Sequence, residues 1–270
     1  MKKLYPGGKR KAFNITYDDG VWQDVRFVEL LNRYHLKGTF NLNSQLMAEE
    51  FAWTHPSGME VRRMPFWRVK GLYEGHEIAS HTLTHPYMHD LSEREIMRQL
   101  GEDRRNLESL FCREIKGFAV PFSYYSDLIA KCAENCGFEY ARMSEFSGSY
   151  VPCTDWYYWK TGVYHIQPNL LPFVEGFWET EQELAVCQIV GHSYDLDAKD
   201  LWYTMENICA EVSGREEIWA CTNLELVRYL KAMTQCRVEG DSVFNNSDRD
   251  LWFEIQGEVI RLAPGERYAV

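Results

Sequence analysis

Three short segments hold the residue types that could build a hydrolytic metal site: Thr16-Tyr17-Asp18-Asp19-Gly20, His81-Thr82-Leu83-Thr84-His85 and Gly191-His192-Ser193. One carboxylate and two imidazoles can hold a divalent cation, and a second carboxylate and a third imidazole would be left to move protons. Each segment also has an ordinary structural reading. Paired acids after a strand often cap a helix and meet its positive end, and a single histidine often does no more than pack. Two histidines at ligand spacing, opposite an acidic pair, favour the metal. Neutral imidazole and carboxylate donors with open positions suit Zn2+, with Co2+, Ni2+, Mn2+ and Fe2+ as alternatives. The stretch from Ser80 to Pro86 is rich in Thr and stopped by Pro86, so a loop is expected to carry the histidine pair.

Bringing such distant residues together requires elements whose ends converge. Strand patterns run from Lys11 to Tyr17, Gly38 to Asn43, His76 to Ser80, Gly117 to Phe122, Phe138 to Met143, Leu184 to Val190 and Glu217 to Thr222. Helical patterns alternate with them, from Asp24 to His35, Ser126 to Cys136, Ala198 to Val212 and Leu224 to Met233. Ser92-Glu93-Arg94-Glu95 has capping-box spacing and opens a helix to Phe111, and Gly137 is placed as a helix stop. Alternation of this kind implies parallel pairing. Asp18, Asp19, His81, Pro121, Arg142 and His192 all follow strands, and a barrel gathers such ends on one face where an open sheet would spread them. The expected fold is therefore α/β, a TIM-like (β/α) barrel over residues 1–236, with 237–270 as a small C-terminal β-hairpin appendage. Residues 48–72, with Trp53, Pro56, Gly58, Pro65 and Trp67, read as an insertion of the kind that forms binding loops or lids.

Composition narrows the function classes. The 270 residues are 45% hydrophobic and 26% charged, which fits a folded chain with a sizeable core. A net charge of -11 argues against nucleic acid as a partner, because phosphate binding needs clustered Lys and Arg. Nine Trp, sixteen Tyr and fourteen Phe supply core packing and candidate surfaces for sugar faces. The eight cysteines form no CxxC pair and mostly sit among apolar residues, as free thiols in a reducing compartment do. The basic Met1-Lys2-Lys3 is followed by no apolar leader segment, and no apolar run approaches the roughly 18 residues of a membrane span. The expected location is cytoplasmic.

In this combination the chain resembles the polysaccharide deacetylase family, carbohydrate esterase family 4, over about residues 10–235. The resemblance implies a distorted, seven-stranded version of the barrel. It makes Asp18 the general base, Asp19 a metal ligand with His81 and His85, and His192 the general acid. The family's third motif is altered: Phe118-Ala119-Val120-Pro121-Phe122-Ser123 keeps Pro121 and Phe122 but has Ala119 where an arginine usually steadies the base. Arg142, after the next strand, is the proposed stand-in, and the Phe122 N–H is the expected oxyanion donor. The fourth motif survives in part as Thr154-Asp155-Trp156, giving Trp156 as a candidate lining of the acyl pocket, and Tyr17 joins Phe122 and Trp156 as a candidate substrate contact. Either Asp195 or Asp155 would orient His192, and His165 is a further polar candidate.

The activity so implied is metal-dependent deacetylation of an N-acetylated or O-acetylated carbohydrate by water, with no covalent enzyme intermediate. The partner is an acetylated sugar or oligosaccharide, and the cytoplasmic expectation favours a soluble one. Two other readings stay open: hydrolysis of another small amide or imide on the same barrel, and a sugar-binding homologue without catalysis.

Overall fold

The computed structural model describes residues 1–270. Its organising element is the strand Lys11–Asp18 (β1), buried along almost its whole length. Successive side chains of a strand point to opposite faces, and here the two faces differ in chemistry. Phe13, Ile15 and Tyr17 join the main apolar core beneath the helices, while Asn14, Thr16 and Asp18 hydrogen-bond to polar side chains on the other face.

All neighbouring strands are parallel. β2 (Gly38–Leu42), β3 (Glu77–Ser80), β4 (Gly117–Ala119), β5 (Tyr140–Phe146) and β6 (Trp159–Thr161) follow β1 in order on one side. On the other side β8 (Ala185–Gly191) pairs with β1 and β7 (Val163–Tyr164) pairs with β8. β6 and β7 are one segment interrupted at Gly162, so the order closes into a ring whose walls number seven, the barrel expected from the sequence. A further strand, β9 (Ile218–Ala220), pairs with Lys11–Phe13 of β1, below the point at Ile15 where β2 joins it.

Helices cover the ring, with the starts that the caps dictate. Ser92 accepts from the Glu95 N–H at the head of Glu93–Phe111, Ser126 accepts from Ile129 at the head of Asp127–Asn135, and Thr222 and Glu225 form a reciprocal capping box on Asn223–Thr234. The helix expected from Ala198 to Val212 starts later, as Trp202–Ser213, and a separate short helix, Ser193–Ala198, precedes it. Between the two, Asp197 accepts from the Trp202 indole at 2.7 Å and Asp200 turns the chain with φ of 52°.

At the N-terminal ends of the strands lies a second apolar cluster, in which Leu251, Phe253, Ile255 and Leu262 meet Tyr5, Leu226 and Leu230. Leu251–Ile255 and Glu258–Leu262 pair around Gln256-Gly257, both at positive φ as a tight hairpin turn requires. The region holds more than this hairpin. Lys2–Leu4 adds a third strand to it, and Cys236–Glu239, Ser242–Asn245 and Arg267–Ala269 form another three-stranded antiparallel sheet. No helix is long and apolar enough to cross a membrane.

The insertion has its own structure. Ala52–Thr54 and Glu60–Arg62 form an antiparallel hairpin, and Arg63 bridges to Val21 beside the Asp19 turn. The hairpin is thereby tied to the strand end that carries the acidic pair.

Candidate active site

Asp18 is the last residue of β1 and faces the barrel interior. Its Oδ1 accepts from Asn41 Nδ2 at 2.7 Å and from the Arg142 guanidinium, which reaches it from β5 on the other side of the ring. Arg142 is fully buried and Asp18 is 4% exposed. Burial works against ionisation of Asp18, but the Arg142 cation together with His81 and His192 outweighs it and holds the carboxyl below its ordinary range. The arginine lacking at Ala119 is thus supplied at the same carboxylate from one strand further on, and the Ala119 carbonyl is used differently, by His81.

Asp19 leaves the strand with φ of 86°, so the two adjacent carboxylates diverge. Candidate donor atoms of Asp19, His81 and His85 all lie within 4.8 Å of one another. His81 Nδ1 lies 2.8 Å from the Ala119 carbonyl, which fixes the proton on Nδ1 and leaves the Nε2 lone pair as the donor. Burial pushes the His81 imidazole down to about 4 and lowers that of His85 as well. Burial opposes the charge on Asp19 too, yet the Arg63 cation and neighbouring histidines hold it well below the usual carboxylate range. Two neutral imidazoles and an anion are the forms a metal needs. Asp19 Oδ1 is buried and makes no hydrogen bond, although Arg63 Nη2 lies 2.9 Å away, so the site retains an unsatisfied acceptor. The donor set fits a divalent cation with open positions.

His192 follows β8, with Nε2 3.7 Å from Asp19 Oδ2 and Nδ1 facing Asp195 at 3.4 Å and the Tyr164 hydroxyl at 2.6 Å. Burial lowers the His192 pKa, but Asp195 and the acidic pair outweigh that and raise it. Of the two acids considered for orienting it, Asp195 does so; Asp155 instead accepts from the N–H groups of Tyr157 and Tyr158 in a turn. Asp195 also accepts from Tyr164 at 2.5 Å and faces His55 at 3.3 Å and His165 at 3.6 Å. His165 is buried, and its ring occupies space that only glycine leaves free, since a Cβ on Gly191 would lie 2.5 Å from it.

Two expected substrate contacts do not reach the site. Tyr17 is 1% exposed, stacked on Phe27 at 4.0 Å with its hydroxyl on His165, because strand alternation turns it outward where its neighbour Asp18 turns inward. Trp156 lies just before β6 and beside the start of β5, its carbonyl accepting from Ala141 and its ring beneath Lys231, at the end of the barrel away from the histidines. Phe122 does lie at the mouth: it is half exposed, 4.6 Å from the His85 ring and stacked on Tyr87 at 3.9 Å.

Arg63, His55, Asn41 and Tyr164 are the neighbours that sequence reasoning missed. Asn41 was findable, since it alternates with Thr39 on a strand next to Asp18; the insertion residues carried no signal beyond their types. Two cavities, of about 560 and 320 Å3, lie at the opposite end of the barrel, lined by residues such as Lys3, Lys11 and Glu183 or His76, Glu77 and Arg113. They contain none of these groups, and chemistry rather than cavity size locates the site.

Known proteins share the fold and part of the sequence. The chain is 27% identical over 148 residues to a peptidoglycan-N-acetylglucosamine deacetylase of Bacillus cereus, a match covering 51% of this chain and 62% of that protein, less than two thirds of its length. The barrel superposes on a family 4 acetyl xylan esterase of Clostridium thermocellum solved with a cobalt ion (15% identity, 80% of this chain and 89% of that one, TM-score 0.51). It also superposes on a family 4 pseudoenzyme of Bacillus anthracis (17% identity, 84% and 68%, TM-score 0.51), and at these identities both likenesses establish the fold. Residues 6–141, half of the chain, match the family described as polysaccharide deacetylase. The chain belongs to the polysaccharide deacetylase family.

Proposed function

We propose that this protein is a metal-dependent hydrolase that removes acetyl groups from an N-acetylated or O-acetylated carbohydrate. The observation that carries the reading is the clustering of Asp19, His81 and His85 between an arginine-paired Asp18 and an aspartate-paired His192. Asp19, His81 and His85 would hold the cation, of which Zn2+ suits the donor set best. When bound, such a cation supplies a Lewis acid that polarises the acyl carbonyl and makes water more acidic.

The chain's own groups handle the protons. Asp18 is ionised, and with Oδ1 occupied by Arg142 and Asn41 its Oδ2 takes the proton from attacking water. His192 keeps Nδ1 toward Asp195 and Tyr164, which leaves the Nε2 proton directed at the site for the leaving amine or alcohol. The Phe122 N–H is the oxyanion donor in this reading. The exposed Tyr87–Phe122 stack beside His85 supports a sugar ring as the group presented. All eight cysteines are free, which supports a reducing, cytoplasmic setting and a soluble saccharide.

The test is acetate release across acetylated mono- and oligosaccharides, with protein stripped of metal by a chelator and then restored with Zn2+. Release that requires restoration is expected. Turnover of cyclic amides but not of any acetylated sugar would replace the substrate assignment, and release unaffected by stripping would remove the metal.

A further inference from the structure

The insertion hairpin delivers one buried cation to the metal donors. Arg63 is 7% exposed, its guanidinium lies 5.4 Å from the Trp53 ring, and Nη1 donates both to the Asp19 carbonyl and, at 2.6 Å, to Asn43 Oδ1. Asn43 Nδ2 in turn donates to the carbonyls of His81 and Thr82, the latter at 2.8 Å. One continuous chain of hydrogen bonds therefore ties the Asp19 turn to the loop carrying both histidines. The tied backbone is of the kind that needs holding: Asp19, Thr82 and His85 have φ of 86°, 70° and 53°, in the left-handed region that side chains disfavour.

We propose that Arg63 is a positioning residue for the Asp19–His81–His85 triad, strapping the two donor loops together through Asn43. The inference rests on the metal reading given above. A rival role exists, in which Arg63 is merely the counter-ion of Asp19 and competes with an incoming cation. The bonding favours the strap, because Nη1 holds the Asp19 main chain and Asn43, neither of which a cation at the carboxylate would displace. A fork-shaped guanidinium also suits several acceptors at once, where a lysine would offer a single charged point.

The experiment is a zinc titration against a chromophoric chelator, with the visible spectrum of the Co2+ form as a second readout. Arg63→Met is expected to bind zinc about 10- to 100-fold more weakly, the range typical when a group supporting a metal ligand is lost, and to shift the Co2+ bands. Arg63→Lys recovers part of the affinity. Asn43→Ser cuts the strap while keeping the charge, moves affinity in the same direction, and carries the test should Arg63→Met fail to fold. Unchanged or tighter zinc binding in the folded Arg63 variant, or in Asn43→Ser, overturns the proposal. Wild-type protein that binds no zinc would overturn the metal reading itself, a separate and recognisable failure.

Discussion

The two proton-handling halves of the site are built differently. Asp18, Asn41 and Arg142 all stand on barrel strands, and their mutual contacts cross a ring whose geometry is set by backbone pairing. His192, Asp195, Tyr164 and His55 come from a strand end, a short helix and the insertion, and their side-chain bonds and ion pairs hold them to one another. The base half is nearly sealed, while the His192 side chain is 24% exposed. Damage to the first half should therefore cost stability together with activity, and damage to the second mainly activity.

The largest effect is expected at Arg142. Arg142→Met leaves Asp18 as an unpaired buried charge, which costs about 3–5 kcal/mol when a buried pair is broken. Urea unfolding should show that loss, and acetate release should fall with it as the Asp18 pKa rises. A fully stable variant would mean that the base half is not built around this pair. His192→Gln comes next: removal of a general acid lowers the rate by about 10²- to 10⁴-fold, and unfolding should show little change. Equal losses of stability in the two variants would erase the contrast.

Asp195→Asn is expected to be milder, near tenfold, or about 1.4 kcal/mol of barrel-mouth organisation lost from the transition state. Its signature lies in pH dependence. His192 donates its proton only below its raised pKa, so wild-type activity falls as pH rises through that value. Losing Asp195 moves this alkaline limb to lower pH. A limb that stays in place would separate Asp195 from His192.

A last effect concerns the metal-free protein. Buried His76 and His81 have pKa values pushed down to about 4, whereas the unfolded chain binds protons near the ordinary 6.5. Their neutral forms therefore contribute stability that is fully present above about pH 6.5 and is lost as pH falls toward 4. Asp18 and Asp19, with lowered values, add stability that is present above the ordinary carboxylate range near pH 4 and is lost below it. Unfolding measured from pH 7 to pH 3 should show the histidine loss first, and stability rising over the interval from 6.5 to 4 would contradict the assignment.

Much of the base half was legible in the sequence. Period-two alternation in Lys11–Asp18 and the break at Asp19-Gly20 place one carboxylate inward and release the next, and the substitute arginine is recognisable because Arg142 stands on the strand next to the one that carries Ala119. The same alternation assigns Tyr17 to the core, where it stacks on Phe27, and excludes the substrate contact expected of it. Trp156 failed for a different reason: a Trp-rich stretch does not say whether it precedes or follows its strand at the catalytic end. The acid half was only partly readable. Asp195 lies three residues from His192 and was one of two candidates, but Tyr164 and His55 reach it through tertiary packing of a strand end and an insertion. Arg63 was unreadable, since an arginine in a loop looks like any solvated charge until its partners are known.

The most direct test of the account compares wild-type protein with Asp18→Asn at equal, measured zinc content, using acetate release from an N-acetylated chito-oligosaccharide. One zinc per chain is expected in both, with a fall of about 10²- to 10⁴-fold in release for the variant. Full activity in zinc-loaded Asp18→Asn would contradict it.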